Sequence, residues 1–192
     1  MKILALDPAN KCGFAHSDGY RGVWLLQAFE VSQGDRSLEL SQGDDEHPGR
    51  RLRRLEHCLL EAHRDWGFEL LAYEDAALGS HNPRTKTVHA KLAGVIELVA
   101  CRLGVPVLLV NPATLKLFAT GNGRATKEQM IRSCEIQFGI TTADDNVADA
   151  LFVLALAEQE SRRESVESQK PNSRKKGSRH RRGKGWLFKK WV

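Results

Sequence analysis

The sequence predicts an α/β fold, a mixed five-stranded sheet flanked by helices, and three observations carry that prediction. Three short apolar runs separated by turn residues come first, the pattern of an antiparallel meander. Beyond residue 50, stretches of helical apolar spacing alternate with further short apolar runs, which adds parallel strands and makes the sheet mixed. The 192 residues, 41% of them hydrophobic, suffice for one domain with a buried core and some appended sequence.

The elements follow in order. KILALD, residues 2–7, reads as a buried strand ending on an acid. Pro8 to Lys11 turns the chain, and CGFAHS and GVWLLQAF follow as strands. Residues 32–47, rich in Gln, Gly, Asp and Ser, read as a connecting loop. From Arg50 to Trp66 the residues Leu52, Leu55, Leu59 and Ala62 recur at helical spacing among Arg, Glu and His, giving an amphipathic helix with a solvated charged face. Phe68 to Tyr73 reads as a strand, with Glu74 and Asp75 at its end. Residues 76–86 read as a polar loop, and a helix then runs from about Thr87 to Leu103 and closes at Gly104. VPVLLV, residues 105–110, is the clearest buried strand. Thr126 caps the next helix, with Gln129 completing a capping box. The last helix of the body runs from about Asp145 to Glu158. Apolar residues then thin out, which divides the chain into a domain over residues 1–161 and a basic, aromatic-containing tail over 162–192.

The net charge of +5 conceals that division. Residues 162–192 hold 12 of the 29 Lys and Arg but only Glu164 and Glu167 among the acids, whereas residues 1–161 hold 17 basic and 22 acidic residues. An acidic body with a basic tail suits a metal-using enzyme with a polyanionic substrate, and equally a soluble protein with a solvated tail. Cys12, Cys58, Cys101 and Cys134 are scattered without a CxxC pair, so reduced thiols are expected rather than a zinc site or a disulfide framework. No run reaches the length of a membrane span and no apolar leader precedes Ile3, so a soluble, cytoplasmic protein is expected.

The candidate chemistry lies in the acids. Asp7 ends the first strand and Glu74 the fourth, so both emerge at a sheet edge, where α/β folds bind their ligands. Asp145 and Asp149 share a face of the last helix, and Asn146 with Asp149 is the alternative pair. The apolar stripe of that helix has to face the sheet, which carries Asp149 toward the strand ends. Converging carboxylates at ~4 Å repel by several kcal/mol per pair at an effective dielectric of about 20, so a fold tolerates them where cations neutralise them. All-oxygen ligands select a hard ion, Mg²⁺ or Mn²⁺. Two such ions ~3.5–4 Å apart suit phosphodiester hydrolysis, with Asp7 bridging, Glu74 holding one ion and the helix pair the other. Taken singly, each acid also fits a turn cap or a helix-dipole role.

These segments resemble the RuvC family of Holliday junction resolvases, within the RNase H-like fold. ILALDPANKCGFA is similar to the family's first-strand motif and LAYEDA to its second. NPATLKLFATGNGRATKEQM resembles the segment that carries an active-site lysine, here Lys127, and DDNVADALFVLALA the C-terminal helix motif. The resemblance runs in order from Lys2 to about Ala157, closest to bacterial or bacteriophage members. It implies Asp7, Glu74, Lys127 and Asp149 as catalytic residues. Where the family commonly carries a carboxylate or histidine three residues before the last Asp, this chain has Asn146. Asn146 through its carbonyl oxygen, or Asp145 beside it, then completes the metal set.

The resemblance further implies a homodimer, two ions per site, and paired nicks across a four-way DNA junction that leave 5′-phosphate and 3′-hydroxyl ends. Lys127 would contact the scissile phosphate or the attacking water and Arg124 the DNA, while Arg84 and Lys86, in the 76–86 loop, would touch the junction backbone or a splayed base, or simply belong to a surface loop. In the tail, Arg174, Lys175, Lys176, Arg181 and Arg182 can neutralise phosphates while Trp186, Phe188 and Trp191 stack on unpaired bases. A partner-docking peptide or a solubilising tail are the alternatives there. Two other functions stay open on sequence alone. One is a broader nuclease of the same fold on flaps, forks or RNA–DNA hybrids; the other is a non-catalytic nucleic-acid-binding module.

Overall fold

The computed structural model describes residues 1–26, 49–75 and 82–168. Among these residues there are five strands and five helices. The strands are β1 (Ile3–Asp7), β2 (Lys11–His16), β3 (Arg21–Leu25), β4 (Leu70–Glu74) and β5 (Val107–Val110). The helices are α1 (Arg50–Asp65), α2 (Pro83–Leu103), α3 (Pro112–Thr120), α4 (Lys127–Phe138) and α5 (Asp145–Ser168).

The strands form one mixed sheet in the order β3-β2-β1-β4-β5. The first three make the expected meander, with β1–β2 and β2–β3 antiparallel. β4 and β5 join on the other side of β1 in parallel. Alternate residues of each strand point to opposite faces, and the sheet is buried on both. Ile3, Ala5, Ala15, Leu70, Ala72, Leu108 and Val110 pack toward α3, α4 and α5. Leu4, Leu6, Leu71, Tyr73 and Val107 pack toward α1 and α2. α1 buries Leu55, Cys58, Leu59 and Ala62, the stripe its spacing predicts with Cys58 added and Leu52 only half-buried.

Three elements differ from the sequence expectation. α2 begins at Pro83, a full turn before Thr87, because the Asn82 side chain accepts from the Arg84 N–H at 2.9 Å and Pro83 sits where a helix needs no donor. Arg84 and Lys86 are therefore first-turn helix residues and not loop residues. α3 was not expected at all, and it uses the same start, with Asn111 accepting from the Ala113 N–H at 2.9 Å ahead of Pro112. α5 runs on to Ser168, well past Glu158. α4 starts as expected, with Thr126 and Gln129 forming both halves of the capping box.

Of the cysteines, Cys12, Cys58 and Cys134 are buried, Cys101 is exposed, and all four are free. No helix among the described residues is long and apolar enough to cross a membrane.

Candidate active site

Sheet register puts the first two acids side by side. Leu6 pairs with Tyr73 in the parallel β1–β4 ladder, so Asp7 and Glu74, one residue on, end adjacent strands at the same height. Both belong to the alternation that includes Ala5 and Ala72, hence to the face covered by α5. Asp7 is 8% exposed and Glu74 9%, a deep placement for two acids.

α5 supplies the third. It packs over β1 and β2, and its first turn is closed by Asp144, which accepts from the backbone N–H of Asn146 at 3.0 Å and from its side-chain amide at 2.6 Å. Asp149 follows one turn later, half-buried, with Oδ1 fully enclosed and without a hydrogen-bond partner. The Lys127 ammonium, from the first turn of α4, forms an ion pair with Asp145. Asp7, Glu74, Asp149, Asp145 and Lys127 thus share one electrostatic neighbourhood.

The acids act on one another there. Burial, then the charges of Glu74, Asp149 and Asp145, push the Asp7 carboxyl well above the usual carboxylate range, against the pull of Lys127. Burial and the Asp149 charge raise Glu74 to about 7. Burial and Asp145 raise Asp149 to about 6. Lys127 is raised by its bond to Asp145. Such an arrangement lacks positive charge, and only partly finds it in the protein.

The donor set fits hard divalent cations. Every group at the centre is a carboxylate oxygen, and the unpartnered Oδ1 of Asp149 is a buried acceptor awaiting a donor or an ion. Among the described residues no three His, Cys, Asp or Glu side chains stand as a ready-made cage for one ion.

The other expected residues are placed as follows. Asn146 faces a cavity of about 560 Å³ between the β1–β2 turn, the start of α2 and the loop before α5, and Arg84, Lys127 and Asp145 line the same cavity. Its amide is engaged by Asp144, while Asp145 is engaged by Lys127. Lys86 and Arg124 are exposed, in the first turn of α2 and the turn before α4. Arg174, Lys175, Lys176, Arg181 and Arg182 lie outside the described residues.

Two residues escaped the sequence reading. Lys116, in the unexpected α3, draws both Glu74 and Asp149 toward the charged form and is a second cation at the cluster. The helical spacing of Leu115, Phe118 and Ala119 after Asn111-Pro112 was the available signal. His89 lines the cavity with Nδ1 buried and unpartnered, and burial lowers its pKa although Asp75 opposes this. No feature of its local sequence distinguishes it from a surface helix histidine.

Comparison with known proteins agrees with this architecture. No protein-family model matches the chain. The crossover junction endodeoxyribonuclease RuvC of Rhodococcus opacus is 33% identical over 162 residues, covering 82% of this chain and 79% of its own. That of Anaeromyxobacter dehalogenans strain 2CP-C is 37% identical over 156 residues, covering 80% and 78%. Among solved structures, T. thermophilus RuvC in complex with Holliday junction substrate superposes with a TM-score of 0.65 at 19% identity, covering 86% of this chain and 97% of that one. The yeast mitochondrial Holliday junction resolvase gives a TM-score of 0.53 at 13% identity, over 86% and 83%. A mixed sheet of this order, the acids at its edge and relatives above 30% identity over most of their length lead to one conclusion: the chain belongs to the RuvC family of crossover junction endodeoxyribonucleases, on the RNase H-like fold.

Proposed function

We propose that this protein is a divalent-metal-dependent endonuclease that resolves four-way DNA junctions, acting as a homodimer with one active site per subunit. The observation that carries the reading is the gathering of Asp7, Glu74 and Asp149, from three distant segments, into a buried cluster whose acids are held above their ordinary pKa. A fold keeps such a cluster where a cation relieves it. Relatives named as crossover junction endonucleases align over most of both chains, which supports the junction as substrate.

In this reading Asp7, Glu74 and Asp149, with Asp145 or Asn146, would hold the Mg²⁺ ions, for which Mn²⁺ would substitute. The ions, when bound, supply Lewis acidity to the attacking and leaving oxygens of an in-line phosphodiester hydrolysis. The chain's own groups do the rest. Lys127 and Lys116 place positive charge beside the scissile phosphate, and Arg84, Lys86 and Arg124 hold the flanking backbone. Paired cuts in opposed strands require two such sites, hence the dimer.

The test is cleavage of an end-labelled four-way junction with and without Mg²⁺. Asp7→Asn removes a charge needed by both ions, and cleavage should fall by about 10³-fold while junction affinity holds. Undiminished cleavage by that variant rejects the assignment. Stronger cutting of flaps than of four-way junctions by the unmodified protein rejects the substrate.

A further inference from the structure

Gly13 pairs directly with Asp7 in the β1–β2 ladder, so a side chain at 13 would project on the same face as the Asp7 carboxylate, toward α5. A Cβ built there would lie 2.0 Å from the carbonyl oxygen of Asn146 and 2.4 Å from its carbonyl carbon. Both are backbone atoms of the first turn of α5, which cannot rotate aside. Gly13 is not among the glycines with positive φ, so backbone conformation gives no reason for a glycine. Close approach does.

The surrounding residues extend the same device. Ala15 lies two residues along β2 on the same face, and Ala148 and Ala150 of α5 are fully buried in the same core. Small residues on both sides let the helix lie close over β1 and β2, and the turn touching Gly13 also carries Asp145 and Asn146, with Asp149 one turn on. An ordinary van der Waals contact at Gly13 would push that turn away by more than an ångström. Asp149, one turn on, would be carried away from Asp7 with it, and a dication with oxygen ligands at about 2.0–2.1 Å for Mg²⁺ tolerates little such displacement.

We propose that Gly13 is a positioning residue for the acid cluster: its missing side chain sets the spacing between α5 and β1 at which the carboxylates share divalent cations. The inference rests on the reading of the cluster as a dication site, and deepens it by naming what fixes the distance.

The experiment is calorimetric titration of the full-length chain with Mn²⁺, for the unmodified protein and three variants, beside thermal unfolding without metal. Gly13→Ala should bind Mn²⁺ at least about tenfold more weakly. Its junction cleavage at limiting Mn²⁺ should fall about 100-fold, the scale of an ångström misplacement, and recover in part as Mn²⁺ is raised. Ala15→Val adds two methyl groups under the same helix and should shift the isotherm in the same direction; it stands in if Gly13→Ala does not fold. Gly22→Ala is the control. A Cβ there meets only the ring of Phe14, at 3.2 Å, on the face away from α5, and the isotherm should not move. Folded Gly13→Ala and Ala15→Val proteins that bind Mn²⁺ as the unmodified chain does overturn the positioning role. Absence of Mn²⁺ binding by the unmodified chain overturns the dication site itself, and the two failures are told apart by that first titration.

Discussion

Glu74 and Asp149 are held at about 7 and about 6, against ordinary values of 4.5 and 3.8, because burial and neighbouring acids disfavour their charged forms. The sign of the consequence follows from proton counting. Between the unfolded and folded values the native chain binds more protons than the unfolded one, so without metal its stability falls as pH rises from about 4 to about 7. A bound dication reverses this, since it binds the deprotonated acids and not the protonated ones. Added Mg²⁺ should therefore raise Tm more at pH 8 than at pH 5.5. Glu74→Gln removes one of the repelling charges, and it should raise the metal-free Tm at pH 8 and flatten the decline with pH. Each kcal/mol relieved is worth about 2–4 °C in a chain of this size. A metal-free Tm that is lower in Glu74→Gln than in the unmodified protein at pH 8 would show that the cluster is not under repulsion. At this scale the sequence was readable wherever an acid ended an apolar run: Asp7 and Glu74 announce themselves as the last residues of buried strands. Lys116 did not, because its role depends on a helix whose presence was not inferred.

Helices carry what the strands cannot supply, and they were read unevenly. α5 was legible in its first half, where Leu151, Leu154 and Ala155 make an apolar face. Its second half has no such stripe and is laced instead by Arg162–Glu158 at 3.0 Å and Arg163–Glu160 at 2.6 Å, pairs that no hydrophobic pattern reports. α3 and the first turn of α2 were hidden for a common reason: Asn-Pro reads as a turn, yet Asn can be an N-cap and Pro a first helical residue. α4 was read correctly from its capping box, and that box has a functional consequence. Thr126 fixes the turn that begins with Lys127, whose ammonium reaches Asp145. Thr126→Ala should cost about 1 kcal/mol of stability, the usual worth of a lost cap. It should also loosen the Lys127 turn, so that cleavage falls several-fold at saturating junction. Thr126→Ser keeps the hydroxyl and should restore both. If Thr126→Ala lowers Tm but leaves cleavage untouched, the cap serves the helix alone and Lys127 does not depend on it.

The whole molecule must bring a polyanion to an acidic body. Residues 1–161 hold five more acidic than basic residues, and the buried cluster adds local negative potential at the place where a phosphate has to sit. Dications held there would neutralise the cluster, but long-range attraction has to come from elsewhere. Residues 169–192, outside the described residues, hold ten Lys and Arg together with Trp186, Phe188 and Trp191. If that segment contacts DNA, its cations and its aromatics leave different signatures. Each phosphate neutralised contributes about 0.9 to the slope of log affinity against log salt on duplex DNA. Ending the chain after Ser168 should therefore weaken junction binding most at low salt and reduce the slope by several units. Cleavage of bound junction should persist, because the acids lie within the described domain. Trp186→Ala with Trp191→Ala should lower affinity by a factor that stays nearly constant with salt, on the scale of about 1–3 kcal/mol per stacked base. Filter binding across a range of NaCl concentrations measures both. A truncated chain with the original slope would assign the phosphate contacts to Arg84, Lys86, Arg124 and their neighbours on the body, and would leave the tail without a part in holding DNA.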